Sequence, residues 1–165
     1  MNQLKVTCPT IQRRFGRRWR LLVEMGMDVG LRSGEIYGQH TDRVDWDRGL
    51  VAVTRVMTRY GLREYPKSRR SHRVVPVPPA TMQATALELG AGRRWSGKCT
   101  CPKVMPDGTT RPGEGSCGGL VFPAPMGGPI DDGNFRDRFW YPAVKAAGSA
   151  ASPRRSCGTR RRAGS

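Results

Sequence analysis

Two segments of the sequence carry basic side chains in a setting suited to phosphate chemistry, and the first is built around Arg32. This arginine lies between Gly30 and Gly34 at the start of a predicted helix, and Glu35 follows three positions later on the same helix face. A guanidinium fixed by a carboxylate presents a planar donor fork that matches two phosphate oxygens, and the helix N-terminus adds positive potential. The pattern predicts a phosphate-binding arginine, and the competing interpretation is a capping glutamate paired with a surface arginine.

Lys67 is the second candidate, in a basic segment that spans residues 66–73. Arg69, Arg70 and Arg73 follow it within six positions. Neighbouring cations lower the pKa of a lysine, and such a lysine can protonate a leaving alkoxide. We expect the three arginines to contact DNA, while the competing interpretation of the whole segment is a solvated basic turn.

Hydrophobic periodicity predicts the helices that position these side chains. Apolar residues at helical spacing over 11–29 indicate an amphipathic helix with a basic flank, with Thr10 as its N-cap and Gly30 just after its end. A short second helix is expected over 33–39, and a further helix is expected over 80–89. Arg32 and Glu35 therefore belong to the start of the second helix.

An alternating pattern predicts a small antiparallel sheet. Residues 44–56 alternate about a tight turn at 47–49 and indicate a hairpin. After a polar loop over 60–71, residues 72–77 indicate a third strand, with Pro76 suited to a sheet edge. The fold class expected from these elements is α+β, mainly helical with a three-stranded antiparallel sheet.

The second half of the sequence is less regular. Residues 90–119 have no sustained period and are interpreted as a long surface loop or insertion, followed by a short strand over 120–122. A turn is expected at 127–129, and a last helix follows it. Asp131 is a candidate cap of this helix, and Pro142 is expected to bend it or end it early.

Length and charge restrict the class of protein. The chain has 165 residues, with 29 Lys and Arg against 13 Asp and Glu, a formal net charge of +16. This length favours one domain over 11–148, with an N-terminal extension at 1–10 and a disordered basic tail at 149–165. So large a positive charge indicates a polyanionic partner, and nucleic acid is the first candidate.

Composition also bears on the cellular setting. No apolar run suits a membrane helix or a signal peptide, so we expect no membrane partner. The five cysteines have scattered spacings that give no disulfide framework. A cytoplasmic location is therefore expected.

Several of these segments resemble, in the same order, the first half of the catalytic domain of phage integrases, which are tyrosine recombinases. The matching segments are GLRSGE at 30–35, DWDRG at 45–49, PKS at 66–68 followed by RVVPVP at 73–78, VFPAPMGGPI at 121–130, and NFR at 134–136 leading to WYPA at 140–143. The resemblance covers about residues 11–148. It implies double-stranded DNA as the partner and DNA integration and recombination as the reaction, with no metal and no cofactor.

The resemblance also implies a mechanism and roles for three residues. In the family, a tyrosine attacks a DNA phosphodiester, a 3′-phosphotyrosine forms, and a 5′-hydroxyl of another strand reverses the step. Two arginines hold the scissile phosphate. Arg32 matches the first of these arginines, Glu35 matches its supporting carboxylate, and Lys67 matches the hairpin lysine that protonates the leaving 5′-oxygen.

The family's second half is not matched. Its His-x-x-Arg box, its later His or Trp and its nucleophilic Tyr belong beyond Gly148, where this sequence has no His, Trp or Tyr. The four tyrosines that the sequence does contain match no nucleophile position: Tyr37, Tyr60, Tyr65 and Tyr141. His40 and His72 are also unmatched and are interpreted as exposed polar residues. We therefore expect a truncated recombinase fragment that binds DNA and does not cleave it alone.

Two further expectations follow from a resemblance to half a domain. Apolar faces of the first helix and of the helix at 135–144 would lack their usual partners, which favours self-association. The tail at 152–162 reads like G+C-rich DNA translated in a shifted frame, which suggests gene decay. The competing interpretation of the tail is a genuine arginine-rich arm that binds DNA phosphates.

Two other functions stay open at the level of sequence. The chain could be a non-enzymatic basic nucleic-acid-binding protein, in which the integrase likeness is ancestry alone. Cys99, Cys101 and Cys117 raise the question of a zinc-stabilised adaptor, but structural zinc takes four ligands, so Cys8 or Cys157 would have to complete the set. Because no fourth ligand lies near these three, no metal is predicted.

Overall fold

Two helices open the fold, α1 over Asn2–Phe15 and α2 over Arg17–Asp28. The computed structural model describes four stretches of the chain: 2–64, 72–90, 101–113 and 118–147. Residues 2–10, expected as an extension, form the first part of α1. The tail at 149–165 lies outside the described residues, and the division into domains stays a prediction.

The junction between α1 and α2 corrects one prediction. Gly16 has a φ of +97°, and its N–H donates to the Gln12 carbonyl at 3.0 Å, which ends α1. The single helix expected over 11–29 is therefore wrong, and Thr10, expected as its N-cap, lies inside α1. The apolar period continues across this one-residue break, so only the glycine marks it in the sequence.

The chain leaves α2 through a glycine, as predicted. Gly30 has a φ of +68°, and the Leu31 N–H beyond it donates to the Gly26 carbonyl at 3.1 Å. This pattern closes a helix on a left-handed residue, for which glycine is preferred. Helix α3, Ser33–Tyr37, follows at once and is two residues shorter than the predicted 33–39.

The predicted three-stranded antiparallel sheet is confirmed. A 3₁₀ turn at Thr41–Arg43 precedes β1, which is Val44–Asp45. Strand β2, Leu50–Val53, lies between β1 and β5, and β5 is Arg73–Pro76. Val51 of β2 is opposite Val75 of β5. Strand β5 is at the sheet edge, where the missing N–H of its proline is tolerated.

A second sheet was not predicted. It contains β3 (Val56–Thr58), β4 (Gly61–Arg63), β6 (Lys103–Val104) and β7 (Thr110–Arg111), in the order β3-β4-β6-β7. The strand expected through residue 56 therefore ends at Val53. The polar loop expected over 60–71 contains β4, and the surface loop expected over 90–119 contains β6 and β7. Strands of two or three residues are too short to establish an alternating pattern, and the parallel β4–β6 pair joins distant parts of the sequence.

The remaining helices mostly follow the prediction. Helix α4 is Pro79–Gly90, and α5 is Asp132–Phe135, with the Asp131 carboxylate accepting from the Asn134 N–H at 2.7 Å as expected of a cap. The turn predicted at 127–129 lies a few residues earlier: the Gly127 N–H donates to the Ala124 carbonyl at 2.8 Å, so the turn covers residues 124–127. The strand predicted over 120–122 is reduced to a single bridge between Leu120 and His40.

Pro142 does not end the last helix. A π-helical turn over Arg136–Trp140 leads directly into α6, Tyr141–Ala146, in which the proline is among the first residues. The Tyr141 N–H donates to the Arg136 carbonyl, five residues back. This wider turn comes where a proline ring would crowd the preceding carbonyls, so the helical path continues.

The helix faces that were expected to lack partners pack against each other. Trp19 of α2 stacks on Phe139 with ring centroids 4.3 Å apart, and Phe15 of α1 meets the same ring at 5.1 Å. Phe135 lies 5.5 Å from Trp19. These rings form an aromatic cluster that joins α1 and α2 to the helical segment over 132–146, so both faces have partners within the chain. Self-association stays a prediction. Within the described residues, no helix is both long enough and apolar enough to cross a membrane.

Candidate functional site

The site predicted around Arg32 is positioned by the packing of α3 on β3. A Cβ atom on Gly34 would lie 2.6 Å from the Met57 carbonyl oxygen, so the two elements could not approach as they do with a larger residue. Arg32 is the residue before the first turn of α3, with φ −73° and ψ 154°. The glycine two positions after Arg32 is thus explained by helix–strand packing.

Glu35 is the buried centre of the site, with 4% of its side chain exposed. Its Oε2 accepts from the Arg32 backbone N–H at 2.9 Å, and its Oε1 accepts from Arg32 Nη1 at 3.3 Å. Arg73 donates from Nη1 to Oε1 at 3.0 Å and from Nη2 to Oε2 at 2.8 Å. Each carboxylate oxygen therefore accepts from both arginines.

The first sheet brings Arg73 to α3. Arg73 is the first residue of β5 and is opposite Val53 of β2. Arg73 was expected to contact DNA, and its pairing with Glu35, 38 positions earlier, was not predicted. This ion pair depends on strand pairing between distant segments, so no local pattern indicates it.

Ionisation of the pair is favoured by its geometry. Burial by itself would raise the pKa of Glu35, but the hydrogen bonds from the Arg73 guanidinium and the Arg32 N–H, with the charges of both arginines, hold it below its ordinary value. The hydrogen bond to Glu35 raises the pKa of Arg73 in turn. Glu35 is therefore a carboxylate paired with the Arg73 cation.

The cluster has one positive charge in excess, and Arg32 is the residue that exposes it. Two arginines and one glutamate leave a net charge of +1, and 82% of the Arg32 side chain is exposed against 32% for Arg73. An exposed guanidinium can bind an anionic oxygen with charge-assisted hydrogen bonds. The arrangement is suited to binding a phosphate.

A cavity of about 400 Å³ begins at the same helix end. Its polar lining residues include Ser33, Tyr37, Arg59 and Asp132. The Tyr37 hydroxyl donates to Asp132 Oδ1 at 3.2 Å, and burial together with that carboxylate raises the pKa of Tyr37 well above its ordinary value. Tyr37 is therefore a poor nucleophile, which agrees with its lack of a matching family position.

The remaining predicted site residues fall elsewhere. Lys67, Arg69 and Arg70 lie outside the described residues, as does Tyr65. Tyr60 is exposed at the β3–β4 turn, with its hydroxyl accepting from Arg59. The roles assigned to Lys67 and to the two arginines after it stay predictions.

His40 corrects another expectation. It was interpreted as exposed but is fully buried, with Nδ1 2.7 Å from the Gly38 carbonyl oxygen. The segment 118–120 packs next to it, and the N–H of the neighbouring Thr41 donates to the Gly119 carbonyl at 2.9 Å. The polar residues after His40 gave no sign that a distant segment covers it. His72, by contrast, is exposed as expected.

A buried arginine between the two sheets was also missed. Arg55, with 7% of its side chain exposed, donates to both oxygens of Asp42 at 2.8 and 3.0 Å and to Glu64 at 2.8 Å. Glu64 also pairs with Lys103 of β6 at 2.9 Å. These four residues form a charge network that fastens β6 to the β3–β4 hairpin. The only signal in the sequence is a charged residue interrupting an apolar strand.

The structure adds nothing in favour of zinc. Cys101 is buried, and Cys99 and Cys117 lie outside the described residues. Across the described stretches of the chain, no group of three or more His, Cys, Asp or Glu side chains could hold a metal ion. The zinc question raised by the cysteines stays a question about the sequence.

The structure is similar to solved recombinases and integrases. XerA recombinase aligns with a TM-score of 0.57 and 15% identity over 90% of this chain and 40% of that one. The Tn1549 transposon integrase in complex with circular intermediate DNA aligns with a TM-score of 0.63 and 18% identity over 91% of this chain and 46% of that one. The chain has a tyrosine recombinase fold.

This fold confirms the resemblance and the α+β class predicted from the sequence. The same integrase in complex with transposon right end DNA aligns with a TM-score of 0.64 and 16% identity, over 86% of this chain and 43% of that one. The chain thus spans less than half the length of the solved structures that it matches. No protein-family model and no curated protein matches the sequence.

Proposed function

We propose that this chain binds double-stranded DNA through Arg32, as part of the catalytic domain of a site-specific tyrosine recombinase. The observation that carries the proposal is the exposed Arg32 guanidinium, anchored by buried Glu35 at the start of α3. In this role the guanidinium binds a backbone phosphate through charge-assisted hydrogen bonds.

The overall charge supports the same partner. A net charge of +16, to which Arg69 and Arg70 contribute, gives the chain a general affinity for DNA phosphates. Lys67 would protonate the leaving 5′-oxygen when a complete site is present. DNA is also the partner named for the integrase complexes that this fold resembles.

We further propose that these 165 residues do not cleave DNA by themselves. Covalent catalysis requires a nucleophile, and Tyr37 is buried and bonded to a carboxylate while no tyrosine follows Gly148. Arg32 and Lys67 alone can position a phosphate but cannot break the bond. The proposal does not require self-association. A reducing, cytoplasmic setting suits five cysteines without a disulfide framework.

The binding proposal is tested with a matched pair of substitutions and a labelled duplex in fluorescence anisotropy. Arg32 and Arg48 are almost equally exposed, at 82% and 80% of their side chains, and Arg48 lies in the β1–β2 turn. Arg32→Ala should weaken binding by about 10-fold or more, the value of one charge-assisted contact, and Arg48→Ala by much less. Equal losses for Arg32→Ala, Arg48→Ala and Arg161→Ala would favour a non-enzymatic protein with a diffuse basic surface.

The cleavage proposal is tested on a nicked suicide substrate that traps covalent intermediates. We expect no protein–DNA adduct on denaturing gels with the 165-residue chain. An adduct would contradict the proposal, and a peptide map of the adduct would identify the tyrosine responsible.

A further inference from the structure

The two arginines at Glu35 are not equivalent partners. Arg73 approaches with both terminal nitrogens, at 2.8 and 3.0 Å, and contacts both carboxylate oxygens. The Arg32 guanidinium makes one longer contact at 3.3 Å, whereas its backbone N–H makes a 2.9 Å bond. The carboxylate therefore binds mainly the side chain of Arg73 and the backbone of Arg32.

This division determines which arginine can act on a ligand. A bidentate guanidinium–carboxylate pair satisfies the charge of Glu35 with Arg73, and little of that negative charge is left to neutralise Arg32. Without Arg73, the buried carboxylate would have Arg32 as its remaining cationic partner in this cluster. The Arg32 guanidinium would then bind Glu35 and be less available to an external anion.

Arg73 also links two elements of the site. It is the first residue of β5, and its bonds to Glu35 tie that strand end to the first turn of α3. Holding both oxygens of Glu35 keeps Oε2 directed at the Arg32 N–H. The orientation of Arg32, at the start of α3, thus depends on Arg73 at the start of β5.

We infer that Arg73 is a positioning residue for Arg32: it holds both oxygens of Glu35 and so leaves the Arg32 guanidinium exposed for a DNA phosphate. This inference deepens the proposed function and rests on it, because it assigns the phosphate contact to Arg32. It replaces the expectation that Arg73 contacts DNA directly.

A double-mutant cycle separates positioning from direct contact. Arg73→Gln keeps much of the side-chain length but removes the charged fork. We expect Arg32→Ala to weaken binding of a labelled duplex about 10-fold, Arg73→Gln about 5-fold, and the double variant about 10-fold, since Arg73 acts only through Arg32. A double variant weakened by the product of the two, about 50-fold, would overturn the inference, because independent losses multiply. No loss with Arg73→Gln would overturn it as well.

A second readout does not depend on DNA. The Arg32 amide donates to Glu35 Oε2, so its ¹⁵N–¹H NMR signal should follow the ionisation of Glu35 with pH. In Arg73→Gln, the hydrogen bonds and the charge that stabilise the carboxylate are lost. The midpoint of this pH titration should therefore move to higher pH. The control Arg48→Gln should leave it unchanged. An unchanged midpoint in Arg73→Gln would overturn the inference.

The DNA-binding cycle and the NMR titration together distinguish failure of the inference from failure of the proposed function. If Arg32→Ala binds DNA no worse than Arg48→Ala, the proposed function fails, whereas the NMR midpoint still reports whether Arg73 controls Glu35. If Arg73→Gln gives no folded spectrum, Arg73→Lys is used, which keeps the charge and loses the planar fork. An upward shift of the Arg73→Lys midpoint relative to wild type supports the inference, and no shift overturns it.

Discussion

Gly34 of α3 and Met57 of β3 are in such close contact that a Cβ atom at position 34 would lie 2.6 Å from the Met57 carbonyl oxygen. The opposing atom belongs to the backbone, so no side-chain rotation can relieve a larger residue there. Because α3 carries Glu35 and is preceded by Arg32, the geometry of the charged cluster depends on this uncharged contact.

Gly34→Ala should therefore destabilise the protein. Overpacking of this kind reduces the free energy of unfolding by about 1–3 kcal/mol, which urea denaturation followed by circular dichroism would detect. The matched control is Gly90→Ala at the end of α4, where a Cβ would meet nothing within 4 Å. Alanine at that helical position should be neutral or stabilise by about 0.4–1 kcal/mol. Equal stability of the two variants would contradict the packing argument.

The buried network around Arg55 should be important for stability. Arg55→Met leaves Asp42 and Glu64 without their shared cationic partner at 2.8 Å. We expect the free energy of unfolding to fall by about 3 kcal/mol. This is the lower end of the range for breaking a buried ion pair, because both carboxylates are about one-third exposed. Arg48→Met, which removes an exposed arginine 4.0 Å from its partner, should change the free energy of unfolding by less than about 0.5 kcal/mol.

The same network predicts how stability depends on pH. Burial opposes ionisation of Asp42 and Glu64, but hydrogen bonds and charges from Arg55, and from Lys103 at Glu64, hold both pKa values below their ordinary range. A carboxyl group with a lowered folded-state pKa stabilises the protein above its unfolded pKa of about 4, and this stability is lost as pH falls through the folded pKa. The difference in free energy of unfolding between wild type and Arg55→Met should therefore become smaller from pH 7 to pH 3. A constant difference in urea denaturation across this range would contradict the account.

The aromatic cluster is expected to hold the last helix to α2. Phe135 is buried and lies 5.5 Å from Trp19, so Phe135→Ala should reduce the free energy of unfolding by about 3–5 kcal/mol. Opening the cluster should also expose apolar surface and increase self-association, measured by sedimentation velocity. Tyr60, a residue that is 61% exposed, provides the control: Tyr60→Ala should change the free energy of unfolding by less than about 0.5 kcal/mol.

Sequence patterns were sufficient where structure is local. The end of α2 at Gly30, the three-stranded sheet and the Asp131 cap follow from glycine conformation, alternation and side-chain capping, which act over a few residues. Arg32 and Glu35 were also found as a pair, because they are three positions apart on one helix.

Long-range contacts explain what the sequence could not indicate. Arg73 reaches Glu35 through the pairing of β5 with β2, and His40 is buried by a segment about eighty positions later, as its bridge to Leu120 records. Strands β6 and β7 have two residues each, which is too few for a periodic signal. These features arise from tertiary packing, for which a single sequence offers no local rule.

The most direct test of the account is the salt dependence of DNA binding. The affinity of wild type, Arg32→Ala and Arg48→Ala for one duplex would be measured between about 50 and 200 mM salt, where each neutralised phosphate contributes about 0.9 to the slope of log affinity against log salt. We predict that Arg32→Ala lowers the magnitude of this slope by about 0.9, the value of one phosphate contact, and that Arg48→Ala leaves it unchanged. A wild-type slope in Arg32→Ala would show that Arg32 binds no phosphate and would contradict the proposed function.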